Sequence, residues 1–95
     1  MSRDERIVAS RFPLGQLTIT AAAAGQLTPE EIADGIIRHA RGDWGDIRPD
    51  DFRENELAVR DGFRLLSAYG RGDHRFWIIT EADRSVTTVL LPEDY

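Results

Sequence analysis

The 95-residue chain has no cysteine and no lysine. The first absence excludes a disulfide framework, a thiolate metal site and a thiol nucleophile. The second makes all 12 basic residues arginine, so every cationic side chain can meet a carboxylate or phosphate with two parallel hydrogen bonds. No apolar run approaches the roughly 20 residues that span a bilayer. The opening stretch MSRDERIVASRF sets charges on both sides of a very short apolar step, unlike the apolar core of an export signal. A phosphate-binding loop, a dinucleotide fingerprint, a zinc motif and a Gly-x-Ser-x-Gly elbow are also missing. These absences predict a cytoplasmic protein with no membrane segment, no metal and no cofactor.

What is present fits one soluble globular domain, with 41% apolar and 31% charged residues. A chain of this length buries roughly 60–65% of its unfolded surface, and its expected stability is about 5–10 kcal/mol. Residues 1–11 are polar and are expected to be poorly ordered, which leaves 12–95 as a single domain. The net charge of −5 opposes non-specific nucleic-acid binding, which depends on neutralising phosphates. Acids concentrate at Asp43, Asp46, Asp50, Asp51, Glu54, Glu56 and Asp61. Arginines recur at Arg60, Arg64, Arg71, Arg75 and Arg84.

Gln16 to Thr20 alternates polar and apolar residues and reads as a first strand. Thr20 suits the cap of a single helical turn over Ala21–Ala24, with Gly25 as its stop. Thr28-Pro29-Glu30-Glu31 is a strong helix start, with Thr28 as cap, Pro29 in the first helical position and Glu31 closing a capping box. Ile32, Ile36, Ile37 and Ala40 give that helix one apolar stripe, and Gly42 follows its end. Pro49 begins another helix that Gly62 ends after Asp61, with a thinner apolar face of Phe52 and Val59, and Leu57 and Ala58 nearby. Strands follow at Phe63–Tyr69, Arg75–Thr80 and Val86–Leu91, connected tightly enough for an antiparallel meander. The expected fold is α+β, with two main helices packed on one face of a small, mostly antiparallel sheet in the order β-α-α-β-β-β.

Hydrogen-bonding groups are densest between Thr80 and Thr88. Asp83 can organise that turn and orient Arg84 toward a carboxylate or phosphate. The same residues also suit a sealed turn with Arg84 in a surface ion pair. Thr87 and Thr88 must face opposite sides of their strand. His39, in a last helical turn, is placed for a pKa raised by the helix dipole, either as a general acid or as a helix-capping residue. Asp43 and Asp46 flank Trp44 in a glycine-bounded loop, where the indole can stack on a ligand or close the edge of a core. Both acids also suit turn and helix caps. On the first meander strand, Ser67 and Tyr69 share a face with Phe63 and Leu65, while Arg64 takes the other face. Tyr69 then needs a partner for its hydroxyl in the core. Arg71-Gly72-Asp73 spells an adhesion tripeptide but falls where a hairpin turn is expected.

The series His39…Gly42-Asp43-Trp44-Gly45-Asp46, Arg64-Leu65-Leu66-Ser67-Ala68-Tyr69, Trp77-Ile78-Ile79-Thr80-Glu81-Ala82-Asp83-Arg84-Ser85 and Thr87-Thr88-Val89-Leu90-Leu91-Pro92 resembles a family of small bacterial proteins called plasmid-related proteins. The resemblance runs from Phe12 to Tyr95, with a shorter stretch over residues 20–27, and implies a bacterial, mobile-element origin without a particular chemistry. The order of elements is also similar to that of the barnase/RelE-like toxin nucleases, which are metal-independent ribonucleases. On that similarity His39 or Tyr69 would move protons, Arg64 or Arg84 would hold phosphate, and Thr88 would lie on the floor of the site. The leading expectation is a cytosolic accessory or inhibitor-type module that binds a protein partner. Its contacts would come from the acidic segment 43–61, with Asp43, Trp44 and Asp46, and from Asp83 and Arg84. The second expectation is a toxin-type ribonuclease acting on RNA. Convergence of His39, Arg64, Tyr69 and Arg84 in one cleft favours the enzyme; their dispersal, with carboxylates lining one convex face, favours the binder.

Overall fold

The computed structural model describes residues 10–95. Residues 1–9, most of the segment expected to be poorly ordered, lie outside the described residues. Arg11 is anchored, with its amide on the Ala40 carbonyl at 2.8 Å and its guanidinium forked over Glu56 at 2.9 and 3.0 Å.

Local signals set most element boundaries. Strand β1 (Gln16–Ile19) ends at Thr20, whose hydroxyl accepts from the Ala23 amide at 3.1 Å and starts helix α1 (Ala21–Gln26). Gly25 does not stop this helix, which runs one residue past it and ends at Leu27. Helix α2 (Pro29–Ala40) starts on the expected capping box: the Glu31 amide donates to the Thr28 hydroxyl at 3.1 Å, and the Thr28 amide to the Glu31 carboxylate at 2.9 Å. Helix α3 (Pro49–Asp61) ends at Gly62 with φ 81°, and the Phe63 amide then reaches back to the Ala58 carbonyl. That bond turns Phe63 out of the core, so Phe63 is 60% exposed and strand β2 (Leu65–Tyr69) begins later than expected. Strands β3 (Phe76–Thr80) and β4 (Val86–Leu90) follow.

The sheet order is β1-β4-β3-β2, with β2, β3 and β4 antiparallel and β1 parallel to β4. The fold is α+β, two main helices against a four-stranded, mostly antiparallel sheet, and α1 makes the order β-α-α-α-β-β-β. The register sets Tyr69 beside Phe76, Ser67 beside Ile78 and Leu65 beside Thr80, all on the helix-covered face. Ile32 and Ile36 of α2 pack there against a core that includes Tyr69, Phe76, Ile78 and Val89. A Cβ on Gly35 would stand 2.7 Å from the Phe76 ring, so this glycine sets how closely α2 approaches β3. The helix is therefore rolled so that Gly35 and His39 point inward, and Ile37, expected in the stripe, is 45% exposed.

A second cluster joins Phe12, Trp44, Ala58 and Leu65. In α3 the expected Phe52 and Leu57 are exposed, the expected Ala58 is buried and Val59 packs against this cluster, and the unexpected buried residue is Asn55. The reason lies at the edge of the sheet. The Asn55 amide donates to the Leu66 carbonyl at 2.8 Å and accepts from the Leu66 amide at 3.2 Å. Further along the same edge, the Ala68 amide donates to Trp44 at 3.1 Å and the Ala68 carbonyl accepts from Asp46 at 2.8 Å. The outer edge of β2 is thereby closed. Among the described residues no helix is long and apolar enough to cross a membrane.

Candidate functional site

The densest buried polar cluster lies beneath α2, across three neighbouring strands. His39, Ser67, Thr80 and Thr87 are all 0% exposed. A hydroxyl has one proton to donate, and that fixes the direction of the whole chain. Thr87 commits its proton to the Leu14 carbonyl, 2.6 Å away. It must then accept from the Thr80 hydroxyl at 2.7 Å. Thr80, its own proton committed, accepts from His39 Nε2 at 2.8 Å. His39 therefore carries its proton on Nε2, and its bare Nδ1 accepts from the Ser67 hydroxyl at 2.6 Å. Strand parity is the sequence signal that finds these residues. Ser67 is in phase with Leu65 and Tyr69, Thr80 with Phe76 and Ile78, and Thr87 with Val89, all of them core positions.

His39 is also packed edge-on against Phe12 at 5.3 Å and Trp44 at 5.7 Å. Burial first, and then the nearby Arg84 charge, push its pKa down to about 4. This is opposite to the raised value expected from the helix dipole, because desolvation outweighs the dipole once the ring is sealed. Neutral and out of reach, His39 is not placed to act as a general acid. Ser67 and His39 have the spacing of a nucleophile and its base, but both are sealed from solvent. Among the described residues no buried side-chain nitrogen or oxygen lacks a hydrogen-bond partner, so the network keeps no group in reserve for a substrate.

The other candidates are engaged as well. The Tyr69 hydroxyl donates to the Asp43 carbonyl at 2.6 Å, and burial pushes its pKa well above the usual phenol range. Arg84 is the one non-glycine residue with positive φ among those described, at 62°. Its guanidinium donates to the carbonyls of Ala58 and Phe63, both at 2.7 Å, and of Glu81 at 3.1 Å. It thus closes the C-terminal end of α3, where carbonyl dipoles favour a cation, and is not turned toward an outside anion. Asp83 organises the turn as expected by accepting from the Ser85 amide at 3.0 Å and hydroxyl at 2.6 Å, which holds its carboxyl low. Arg84 is held by the carbonyls, not by Asp83.

Arg64 and Thr88 lie on the other side of the sheet. Arg64 donates to the Tyr95 hydroxyl at 2.8 Å, and Tyr95 packs on Trp77 of the uncovered face. Thr88 meets the Thr18 hydroxyl at 2.7 Å. The sheet itself separates this pair from His39 and Tyr69. Trp44 is 1% exposed and offers no free face for stacking; its Nε1 donates to Glu56 at 2.9 Å. Hydrogen bonds from Arg11 and then Trp44 hold the Glu56 carboxyl low.

Five of the seven acids between 43 and 61 are paired with arginine: Asp43 with Arg38, Asp46 with Arg75, Asp50 with Arg53, Glu56 with Arg11 and Asp61 with Arg60. A continuous carboxylate face is therefore not formed. Several shallow hollows mark the surface, among them two of ≈ 480 and ≈ 470 Å³. An open cleft of ≈ 610 Å³ at the end of the sheet is polar, with Arg38, Arg71 and Arg75 set against Asp43 and Asp46. A groove of ≈ 300 Å³ on the outward side of α3 is lined by Glu54, Leu57, Ala58, Asp61, Phe63 and Arg64. Among the described residues no group of three or more His, Asp or Glu side chains is placed to hold a metal ion.

Fold and interior together define a small two-layer α+β protein whose buried polar chain is hydrogen-bonded throughout and sealed from solvent. Comparison with known proteins found no matching family model, no matching curated protein and no matching solved structure.

Proposed function

We propose that this chain is a small bacterial, cytoplasmic and non-catalytic accessory or inhibitor-type protein, carried by a mobile element, that binds a protein partner through the outward side of α3. The groove there carries the reading. Asp50, Glu54, Leu57 and Asp61 recur at helical spacing along one side of α3, and Leu57 and Phe63 are 47% and 60% exposed. Glu54 makes no ion pair among the described residues. In a chain of net charge −5, the complement of this groove is a basic amphipathic segment, an apolar side chain flanked by arginine or lysine.

Two further observations support it. Of the four residues that a ribonuclease would need together, Arg64 lies across the sheet from His39 and Tyr69, His39 is sealed in the polar chain, and Tyr69 and Arg84 are tied to backbone carbonyls. The segments on which the family resemblance rests, around Trp44 and over residues 80–85, are occupied with closing the β2 edge and the end of α3. That use fits a binding scaffold better than an active site.

The test is selection of peptides from a random displayed library on the purified protein. Enriched sequences should combine arginine or lysine with leucine or an aromatic residue, and their binding should fall about tenfold or more in Glu54→Lys and in Phe63→Ser. Acidic enriched sequences, or binding untouched by both substitutions, would remove the reading. Labelled RNA incubated with excess protein in EDTA should stay intact. Cutting that Arg64→Ala or Arg84→Ala abolishes would put the ribonuclease in its place.

A further inference from the structure

The two edges of the sheet are treated in opposite ways. The β2 edge is closed by Asn55 and by the loop around Trp44. At the other edge β1 has β4 as its only neighbour among the described residues. The amides of Gln16 and Thr20 donate to Ser85 and Val89 of the β4 side, at 2.9 and 3.0 Å. Alternation along a strand then sends the amides and carbonyls of Leu17 and Ile19 the other way, off the open edge. Their side chains are among the most exposed large apolar groups of the molecule, at 48% and 43%. β1 contains no proline and no charge, the usual means of blunting such an edge.

Charge decides what fits there. From Phe12 to Pro29 there is not one charged side chain, in a chain whose residues are 31% charged. Along β1 itself an outside partner guided by the net charge of −5 finds no carboxylate to pair with; Asp94, which accepts from the Thr20 hydroxyl at 2.7 Å, stands just past the strand's end. A second copy of the chain has the opposite requirement. A two-fold contact sets a surface against itself, so a charged patch repels its own image and a neutral one does not.

We propose that two copies of this chain pair through β1, antiparallel, about a two-fold axis at Thr18, making one continuous sheet across both. In that register Leu17 of one copy lies opposite the partner's Ile19, and each pair exchanges both of its outward hydrogen bonds. All the outward groups of Leu17 and Ile19 are then satisfied at once. Their side chains lie side by side on the same face, and Thr18 meets the partner's Thr18 on the axis. The α3 grooves sit by the far edge of each sheet and stay open.

Sedimentation equilibrium on the full chain tests this. The wild-type protein should move from the mass of one chain to that of two as concentration rises to about 0.5 mM. Leu17→Pro should be monomeric throughout with an unchanged circular dichroism spectrum, because the Leu17 amide is not part of the β1–β4 ladder. Ile19→Glu should also be monomeric. The double variant Leu17→Arg with Ile19→Glu should recover the dimer, since the register sets each introduced arginine opposite an introduced glutamate of the other copy. A wild-type protein that stays monomeric over this range overturns the proposal. So does a dimer that survives Leu17→Pro, or one lost in Phe63→Ser instead. A double variant that associates no better than Ile19→Glu overturns the register.

Discussion

Mild acid should destabilise this protein through His39, before its carboxylates begin to titrate. In the unfolded chain the imidazole has its ordinary pKa of 6.5, and in the fold about 4. Between those values the unfolded state binds the extra proton, so stability is full above pH 6.5 and is lost as pH falls toward 4. The loss from pH 7 to pH 5 is about 2 kcal/mol, rising to about 3 kcal/mol at pH 4. Asp43 and Glu56, held low by Arg38 and Arg11 respectively, add losses in the same direction as pH falls through the ordinary carboxylate range, below about pH 5, so the window from pH 7 to 5 belongs to the histidine. Urea unfolding at pH 7, 6 and 5 measures it, in a His74→Gln background so that His39 is the one histidine left. The same series on His39→Gln should be flat from pH 7 to 5, whatever that substitution does to absolute stability. Imidazole nitrogen spectra add an independent check, because the hydroxyl chain requires the proton on Nε2. An unfolding free energy constant within about 0.5 kcal/mol over the window would refute the burial argument. A proton found on Nδ1 would refute the direction of the hydrogen bonds.

Other substitutions probe the joints of the fold. Arg84→Ala should cost about 2–3 kcal/mol through lost bonds to backbone carbonyls, and Arg84→Gly about 1 kcal/mol less, because glycine relieves the φ of 62°. If glycine proves as costly as alanine in thermal unfolding, the strain argument fails. Asn55→Ala leaves both backbone groups of Leu66 unpaired and should cost about 2–3 kcal/mol. A loss below about 0.5 kcal/mol would mean that water replaces the side chain at that edge. Gly45→Ala, at φ 77° and with its new Cβ against the Ala68 carbonyl, should lower Tm by roughly 15 °C or more. A shift of a few degrees would show that the Trp44 loop can move aside.

Most helix starts and stops were legible because their causes are local, the stop expected for α1 at Gly25 being the exception. Thr28, Pro29 and Glu31 lie within one turn and make their contacts with each other, and Gly62 ends α3 through its own φ. Inward faces were harder to read. In α2 an apolar stripe can be drawn through Ile37 as readily as through His39, and contact between Gly35 and Phe76, 41 residues later in the chain, decides it. Asn55 is polar at a buried position because of a strand edge that helical periodicity does not see. The polar chain needed the strand register: Ser67, Thr80 and Thr87 carry the right parity, but which strands are neighbours is a matter of pairing. Arg84 looked available because a turn arginine usually is, and only the position of the α3 terminus shows where its protons go.

The parallel pairing of β1 with β4 has a consequence for how the molecule assembles. Thr18 and Thr88, which touch in the finished sheet, stand 70 residues apart in the chain. The three antiparallel strands are joined by short turns and can zip together early, while β1 must wait until that meander presents β4 as a template. Amide exchange during refolding should therefore protect Ile78 and Val89 before Thr18. Until then, the chain's one long neutral stretch, with its leucines and isoleucine, stays in solvent beside every other copy doing the same. Solubility during synthesis is thus set by the lifetime of an unpaired strand more than by the stability of the finished protein. A charge placed at Leu17 should raise the yield of folded protein even if it leaves the unfolding free energy unchanged.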